Sequence, residues 1–105
     1  MTDIKTLNDH FRKTFSGGRV TLSCGISAKS QNELTEILNQ VRCFNNFTKA
    51  NDPYNEHDFG SFYYKGEQIY WKIDYYDKNY RFYSENPCNP NITNRVMTIM
   101  LSHEY

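Results

Sequence analysis

Residues 67–76 alternate more strictly than any other stretch of this chain. Ile69, Trp71, Ile73 and Tyr75 fall on one side, with Gln68, Tyr70, Lys72, Asp74 and Tyr76 on the other. Successive side chains of an extended strand point to opposite faces, so the pattern calls for a strand with one apolar face and one mixed face. The chain has nine Tyr, seven Phe and one Trp, and residues 51–83 hold eight of the Tyr, three of the Phe and the Trp. A small domain that gathers its aromatic area in one stretch has its core sheet there. Residues 58–64 read as a strand leading through Lys65-Gly66 into 67–76, and 80–83 as a third strand after the turn Asp77-Lys78-Asn79. Connections this short permit only antiparallel pairing.

The rest of the chain supplies partners for that sheet. Ile4, Leu7, Phe11 and Phe15 recur at spacings of three and four, which predicts a helix over 3–15. Thr2 or Asp3 caps its start, Gly17-Gly18 ends it, and Asp9, Arg12 and Lys13 lie on its solvated side. Val20, Leu22, Cys24 and Ile26 alternate with polar neighbours, giving a strand over 19–27 in which Gly25 marks a bulge or a close approach. Ser30 and Glu33 form a capping box ahead of Leu34, Ile37, Leu38, Val41 and Phe44, giving a helix over 31–44 that Asn45-Asn46 ends. Residues 84–91 form a loop with Pro87 and Pro90. Asn89-Pro90 then fits a helix start, with Ile92, Val96, Ile99, Met100 and His103 on one face. The run 96–101 is short, apolar and partly β-branched, so a strand is the alternative. The order α-β-α-β-β-β-α defines a single α+β domain over 1–105, with an antiparallel sheet of about four strands and helices packed on one face.

A chain of 105 residues buries enough surface for a core without metals or disulfides. No apolar run is long enough to span a membrane, and the N-terminus lacks the pattern of a signal peptide. Cys24, Cys43 and Cys88 are an odd number without metal-pair spacing, which points to reduced thiols in a cytoplasmic protein, with Cys24 in strand core, Cys43 in or beside a core and Cys88 in a loop. The formal net charge is zero, with seven Lys/Arg against four Asp/Glu in residues 1–50 and five against eight thereafter. Neutrality argues against strong direct binding of nucleic acid through phosphate neutralisation and equally against wholesale nucleic-acid mimicry.

Three constellations bear on chemistry. Glu56-His57-Asp58 has residue types suited to a metal or to acid–base catalysis, but neighbours in an extended segment diverge, and the plainer reading is a loop held in shape by these groups. Asp58, Asp74 and Asp77 lie near strand ends, where a magnesium site is conceivable; Asp77 opening a turn and Asp74 pairing with Lys72 or Arg81 explain them more simply. Tyr64, Tyr70, Tyr76 and Tyr83, mixed with Lys72 and Arg81, suit a single-strand nucleic-acid platform weakly and protein contact at least as well, and a terminal helix covering that face would instead make them core. No nucleophile motif occurs, and nothing calls for a cofactor.

Four blocks extend this reading: Asn8-Asp9-His10-Phe11-Arg12-Lys13-Thr14-Phe15 with Gly17-Gly18-Arg19-Val20; Asn51-Asp52-Pro53-Tyr54 with Glu56-His57-Asp58-Phe59-Gly60; Trp71-Lys72-Ile73-Asp74-Tyr75-Tyr76-Asp77; and Arg95-Val96-Met97-Thr98-Ile99-Met100-Leu101 with Glu104-Tyr105. In these the chain resembles an uncharacterised bacterial family, a short domain of unknown function found in alphaproteobacteria and on their plasmids and other mobile elements. The resemblance implies a mobile-element setting, where small proteins often blunt host restriction or CRISPR systems, and it brings no catalytic residues. The resulting expectation is a non-enzymatic inhibitor of anti-CRISPR or anti-restriction type that contacts a protein partner, a defence nuclease or nucleoprotein complex. Its contact residues would be Tyr54, Glu56, His57, Asp58, Tyr70, Lys72, Asp74, Tyr76 and Asp77. A metal-dependent enzyme and a single-strand binder are the alternatives.

Overall fold

The computed structural model describes residues 3–105. The elements are α1 (Ile4–Thr14), β1 (Arg19–Leu22), α2 (Cys24–Ser27), α3 (Gln31–Arg42), β2 (Phe59–Tyr64), β3 (Glu67–Tyr76) and β4 (Asn94–Leu101), followed by a 3-10 turn at Ser102–Glu104. This is an α+β fold. The sheet has four strands in the order β1-β4-β3-β2, antiparallel except for the parallel β1–β4 pair.

The strand over 67–76 forms as its alternation demands. Ile69, Trp71 and Ile73 are buried, and the residues between them are half-buried. Lys65 and Gly66 both take positive φ, 49° and 84°, which is the two-residue turn geometry whose twist matches a hairpin. That turn sets Gly60 opposite Trp71 and Phe62 opposite Ile69. Phe11 of α1, Ile26 of α2 and Ile37 and Val41 of α3 join Ile69, Trp71, Ile73, Met97, Ile99 and Leu101 in one core. The helices therefore lie on one side of the sheet, and the other side bears Phe59, Ser61, Tyr63, Tyr70, Lys72, Asp74, Tyr76, Val96 and Thr98.

Several expectations need correction. The C-terminal segment is strand β4, not a helix: Arg95, Met97, Ile99 and Leu101 face the core in a period of two. Asn89 caps no helix; its carboxamide oxygen accepts the Asn91 N–H at 3.0 Å within a turn. Residues 80–83 make only an isolated bridge, Tyr76 to Tyr83, so the place beside β3 expected for a third meander strand is taken by β4. The strand over 19–27 stops at Leu22. Ser23 then accepts the Ile26 N–H and starts the short helix α2, leaving Cys24 exposed rather than in a core. Cys43 is exposed as well.

The helix ends are set by local chemistry. Asp3 accepts the Thr6 N–H at 2.8 Å and caps α1; the alternative cap, Thr2, lies outside the described residues. α1 ends before Gly17-Gly18, with Phe15 itself in the left-handed region at φ 57°. The Ser30–Glu33 capping box forms as expected and α3 ends at Arg42.

Gly60 is where the core tolerates least. A Cβ there would sit 2.6 Å from Trp71 Nε1 and 2.7 Å from two ring atoms of Phe44. Gly60→Ala is expected to lower unfolding free energy by about 1–3 kcal/mol, the range for overpacking a filled site, read as a fall in the urea midpoint at unchanged m-value.

Candidate functional site

The 52–58 loop is built around a buried carboxylate. Asp52 Oδ1 accepts the backbone N–H groups of Glu56 at 2.8 Å and His57 at 3.1 Å. Asn55 and His57 both take left-handed φ, 56° and 55°, so the chain coils tightly around Asp52. The coil carries the His57 ring to α1. There Nδ1 meets Asp9 Oδ1 at 2.8 Å, Nε2 lies 3.6 Å from Asp52 Oδ2, and the imidazole stacks on Phe47 at 3.7 Å. Asp9 Oδ1 also accepts Arg12 Nη1 at 2.9 Å. Burial pushes the Asp9 carboxyl up, but the hydrogen bonds to His57 and Arg12 outweigh it and hold the group below its ordinary range.

Arg12 is buried at 1% exposure, contrary to its expected place on a solvated face. Its guanidinium lies over Phe47 and Trp71, 5.2 and 5.4 Å from the ring centroids, so the charge is met by one carboxylate and two aromatic faces.

A second branch starts at Asn8 of α1. Its Nδ2 donates to the Glu56 carbonyl at 2.9 Å and to the Tyr75 hydroxyl at 2.8 Å. The Tyr75 hydroxyl donates to Glu56 Oε1 at 3.0 Å, and Asn8 Oδ1 accepts Arg95 Nε at 2.9 Å. Burial first, and then the nearby carboxylates of Asp58 and Glu56, push the Tyr75 phenol above its ordinary range despite the bond to Asn8. One amide thus ties α1 to the loop, to β3 and to β4.

Glu56, His57 and Asp58 do not converge. Glu56 turns to Tyr75 and His57 to Asp9 and Asp52. Asp74 pairs with Lys72 at 3.0 Å, and that hydrogen bond raises the Lys72 ammonium. Asp77 Oδ1 accepts the N–H groups of Asn79 and Arg81 and so shapes the turn after β3. Among the described residues no group of three His, Cys, Asp or Glu side chains is placed to hold a metal ion.

The remaining predicted contact residues lie on the open side. Tyr70 packs edge-on against Phe59 and Tyr105, at 5.3 and 5.4 Å. Tyr76 stacks on Tyr83 at 6.0 Å and tilts against Tyr80. Tyr54 projects from the loop at 83% exposure. The loop residues and the open-face residues are therefore two groups, the first largely engaged inward and the second partly free. Sequence reasoning missed Asn8, Asp9, Arg12, Phe47, Asp52 and Arg95. A signal existed for two of them: Asn8 and Arg12 follow Ile4 at intervals of four, which places them beside the apolar stripe.

Residues 22–104 match the family described as "Protein of unknown function (DUF3768)". The chain belongs to this family. The DUF3768 match takes in the Asn51–Gly60, Trp71–Asp77 and Arg95–Tyr105 blocks up to Glu104, and begins after the Asn8–Val20 block. No curated protein and no solved structure matches the chain.

In this DUF3768 chain Asp58 gives a pH-dependent stability. Burial, reinforced by the charge of Glu56 and then of Asp52 and Asp74, raises its carboxyl from 3.8 to about 6. The folded state binds this proton more tightly than the unfolded state, so the contribution falls as pH rises from about 4 to about 6. A shift of that size corresponds to about 3 kcal/mol, and screening of a half-exposed group reduces this to about 1 kcal/mol. Asp58→Asn is expected to raise the urea midpoint at pH 7 and to leave it unchanged below pH 4, as measured by denaturation across that range.

Proposed function

We propose that this chain is a small non-enzymatic binding protein that meets a protein partner through the open face of its sheet and the Tyr54 loop. We read its role as counter-defence of the anti-CRISPR or anti-restriction kind, directed at a nuclease or nucleoprotein complex. One observation carries the contact reading: among the described residues no helix packs on the side of the sheet that bears Tyr63, Tyr70 and Tyr76. Around that face Tyr63 is 69% exposed, and Tyr83 and Tyr105 are each 72% exposed. Tyrosine suits such a surface because it offers a large rigid ring and a polar tip while losing little rotamer freedom on contact. Phe59, Ser61 and Tyr63 add an unpaired strand edge, since β2 is the last strand of the sheet.

The counter-defence part rests on the resemblance to a family of mobile elements. The pairing of Lys72 with Asp74 supports protein over nucleic acid as partner, because it compensates the lysine at the centre of the face. The test uses cells carrying a restriction or CRISPR system challenged with a targeted plasmid. The wild-type chain is expected to raise plasmid establishment, and Tyr63→Ser with Tyr83→Ser to abolish the gain while the melting temperature stays unchanged, each ring accounting for about tenfold in partner affinity. Equal protection by wild type and variant, or none by the wild type, overturns the reading.

A further inference from the structure

A cavity of about 530 Å³ has in its wall Tyr80, which tilts against Tyr76, but none of Tyr63, Tyr70, Tyr76 and Tyr83. Its walls come from α1, the Ser16–Gly18 connection, the turn at Lys78 and Tyr80, and the start of β4. Arg19, Lys78, Arg95 and His10 line it, and no carboxylate does. In a chain of zero net charge, that is a local concentration of one sign.

Arg95 is the unusual member. It is 3% exposed, and among the described residues no carboxylate pairs with it. Nε donates to Asn8 Oδ1 at 2.9 Å and Nη2 to the Pro87 carbonyl at 2.6 Å, both neutral acceptors, and the guanidinium lies over the Tyr75 ring at 5.2 Å. Burial lowers its proton affinity. Nη1 has no hydrogen bond to a described residue, and Arg95 is one of the residues that line the cavity. Burying a cation without a counter-charge is costly, and an anion in the cavity would supply one. The other two cations are exposed and have no carboxylate partner among the described residues. Lys78 Nζ reaches only the Thr93 carbonyl and Asn94 Oδ1, at 3.4 and 3.3 Å, and Arg19 rests on the Tyr80 ring at 4.8 Å.

We propose that this cavity binds the phosphate group of a small phosphorylated molecule. Arg95 Nη1, Arg19 and Lys78 hold the phosphate oxygens by charge-assisted hydrogen bonds, the arrangement in which such bonds are strongest. Gly18 lets β1 and α1 close on the site, since a Cβ there would lie 2.7 Å from both the Arg95 carbonyl and the Phe11 ring. The volume falls in the range of small-molecule sites and exceeds what one phosphate needs. Tyr80, held in the left-handed region at φ 58°, offers a flat wall for the rest of the ligand.

Calorimetry and thermal unfolding at fixed ionic strength test this with inorganic phosphate and with adenosine monophosphate, using chloride as the reference anion. Phosphate is expected to raise the melting temperature where chloride does not. Arg19→Gln and Lys78→Gln, both at solvent-accessible positions, should each weaken binding about tenfold. Tyr80→Asn keeps a residue that tolerates left-handed φ; it should weaken the nucleotide alone if the site takes a larger ester, and neither probe if it takes free phosphate. No heat and no shift with either probe overturns the proposal, and so does binding that the two substitutions leave intact. The open-face variants do not touch this cavity, so failure here and failure of the contact reading separate cleanly.

Discussion

Trp71 has room because residue 60 has no side chain. The indole is fully buried, and opposite it in the sheet Gly60 leaves the space that Phe44 and the indole fill. Phe44 and Phe47 meet it edge-on at 5.5 and 6.1 Å, and Arg12 lies over it. This packing constrains the register of β2 against β3, since a slip by one residue would place a side chain where the indole sits and turn every apolar residue of β2 to the other side. It also fixes the path of the chain leaving α3, because Phe44 and Phe47 must reach the sheet within a few residues of the helix end. The two-layer architecture follows: α1 and α3 both contribute to the packing around one indole, so they share one side, and among the described residues the other side of the sheet is left without a helix.

The polar groups around that packing serve the same end by different means. Phe47 carries the His57 ring on its face, His57 holds Asp9, and Asp9 neutralises Arg12 over Trp71. A buried guanidinium beside an indole is stable only with such compensation, and breaking any link would leave a buried group unpaired, at a cost of about 1–3 kcal/mol or more. The residues of the Glu-His-Asp block that most invite a catalytic interpretation thus have definite structural partners. What remains for contact is the ring of Tyr54 and the open face.

The hairpin, the capped helix α3 and the two-sided strand β3 were legible because each has a local cause within a few residues: a turn with positive φ, a reciprocal cap, a period of two. β4 was hidden by Arg95 and Asn89-Pro90. A charged residue at an inward position breaks an apolar alternation as the eye counts it, and Asn-Pro imitates a helix start whose remaining turns never form. Arg95 is tolerated inside because Asn8, 87 residues away, and the Pro87 carbonyl accept its protons, and no local pattern reports a partner as distant as Asn8. The same holds for Asp52, whose role depends on how the loop closes, and for Arg12, whose partners come from α1, the Phe47 loop and β3. Contacts between elements carried the site, while the signals in the sequence described the elements singly.

Asn8 shows why the two buried arginines end differently. Arg12 has Asp9 beside it. Arg95 has an amide, although an aspartate of nearly the same shape would neutralise it. The amide is required by its other bonds: Nδ2 donates to the Tyr75 hydroxyl and the Glu56 carbonyl, while Oδ1 accepts from Arg95. A carboxylate at position 8 would have no proton for either acceptor and would face Glu56 with like charge. Among the uncharged side chains of that length, only asparagine donates two hydrogen bonds while accepting a third. Satisfying the junction of α1, loop and sheet therefore leaves the charge of Arg95 uncompensated, and Arg95 lines a cavity of about 530 Å³, where a counter-charge has room to enter.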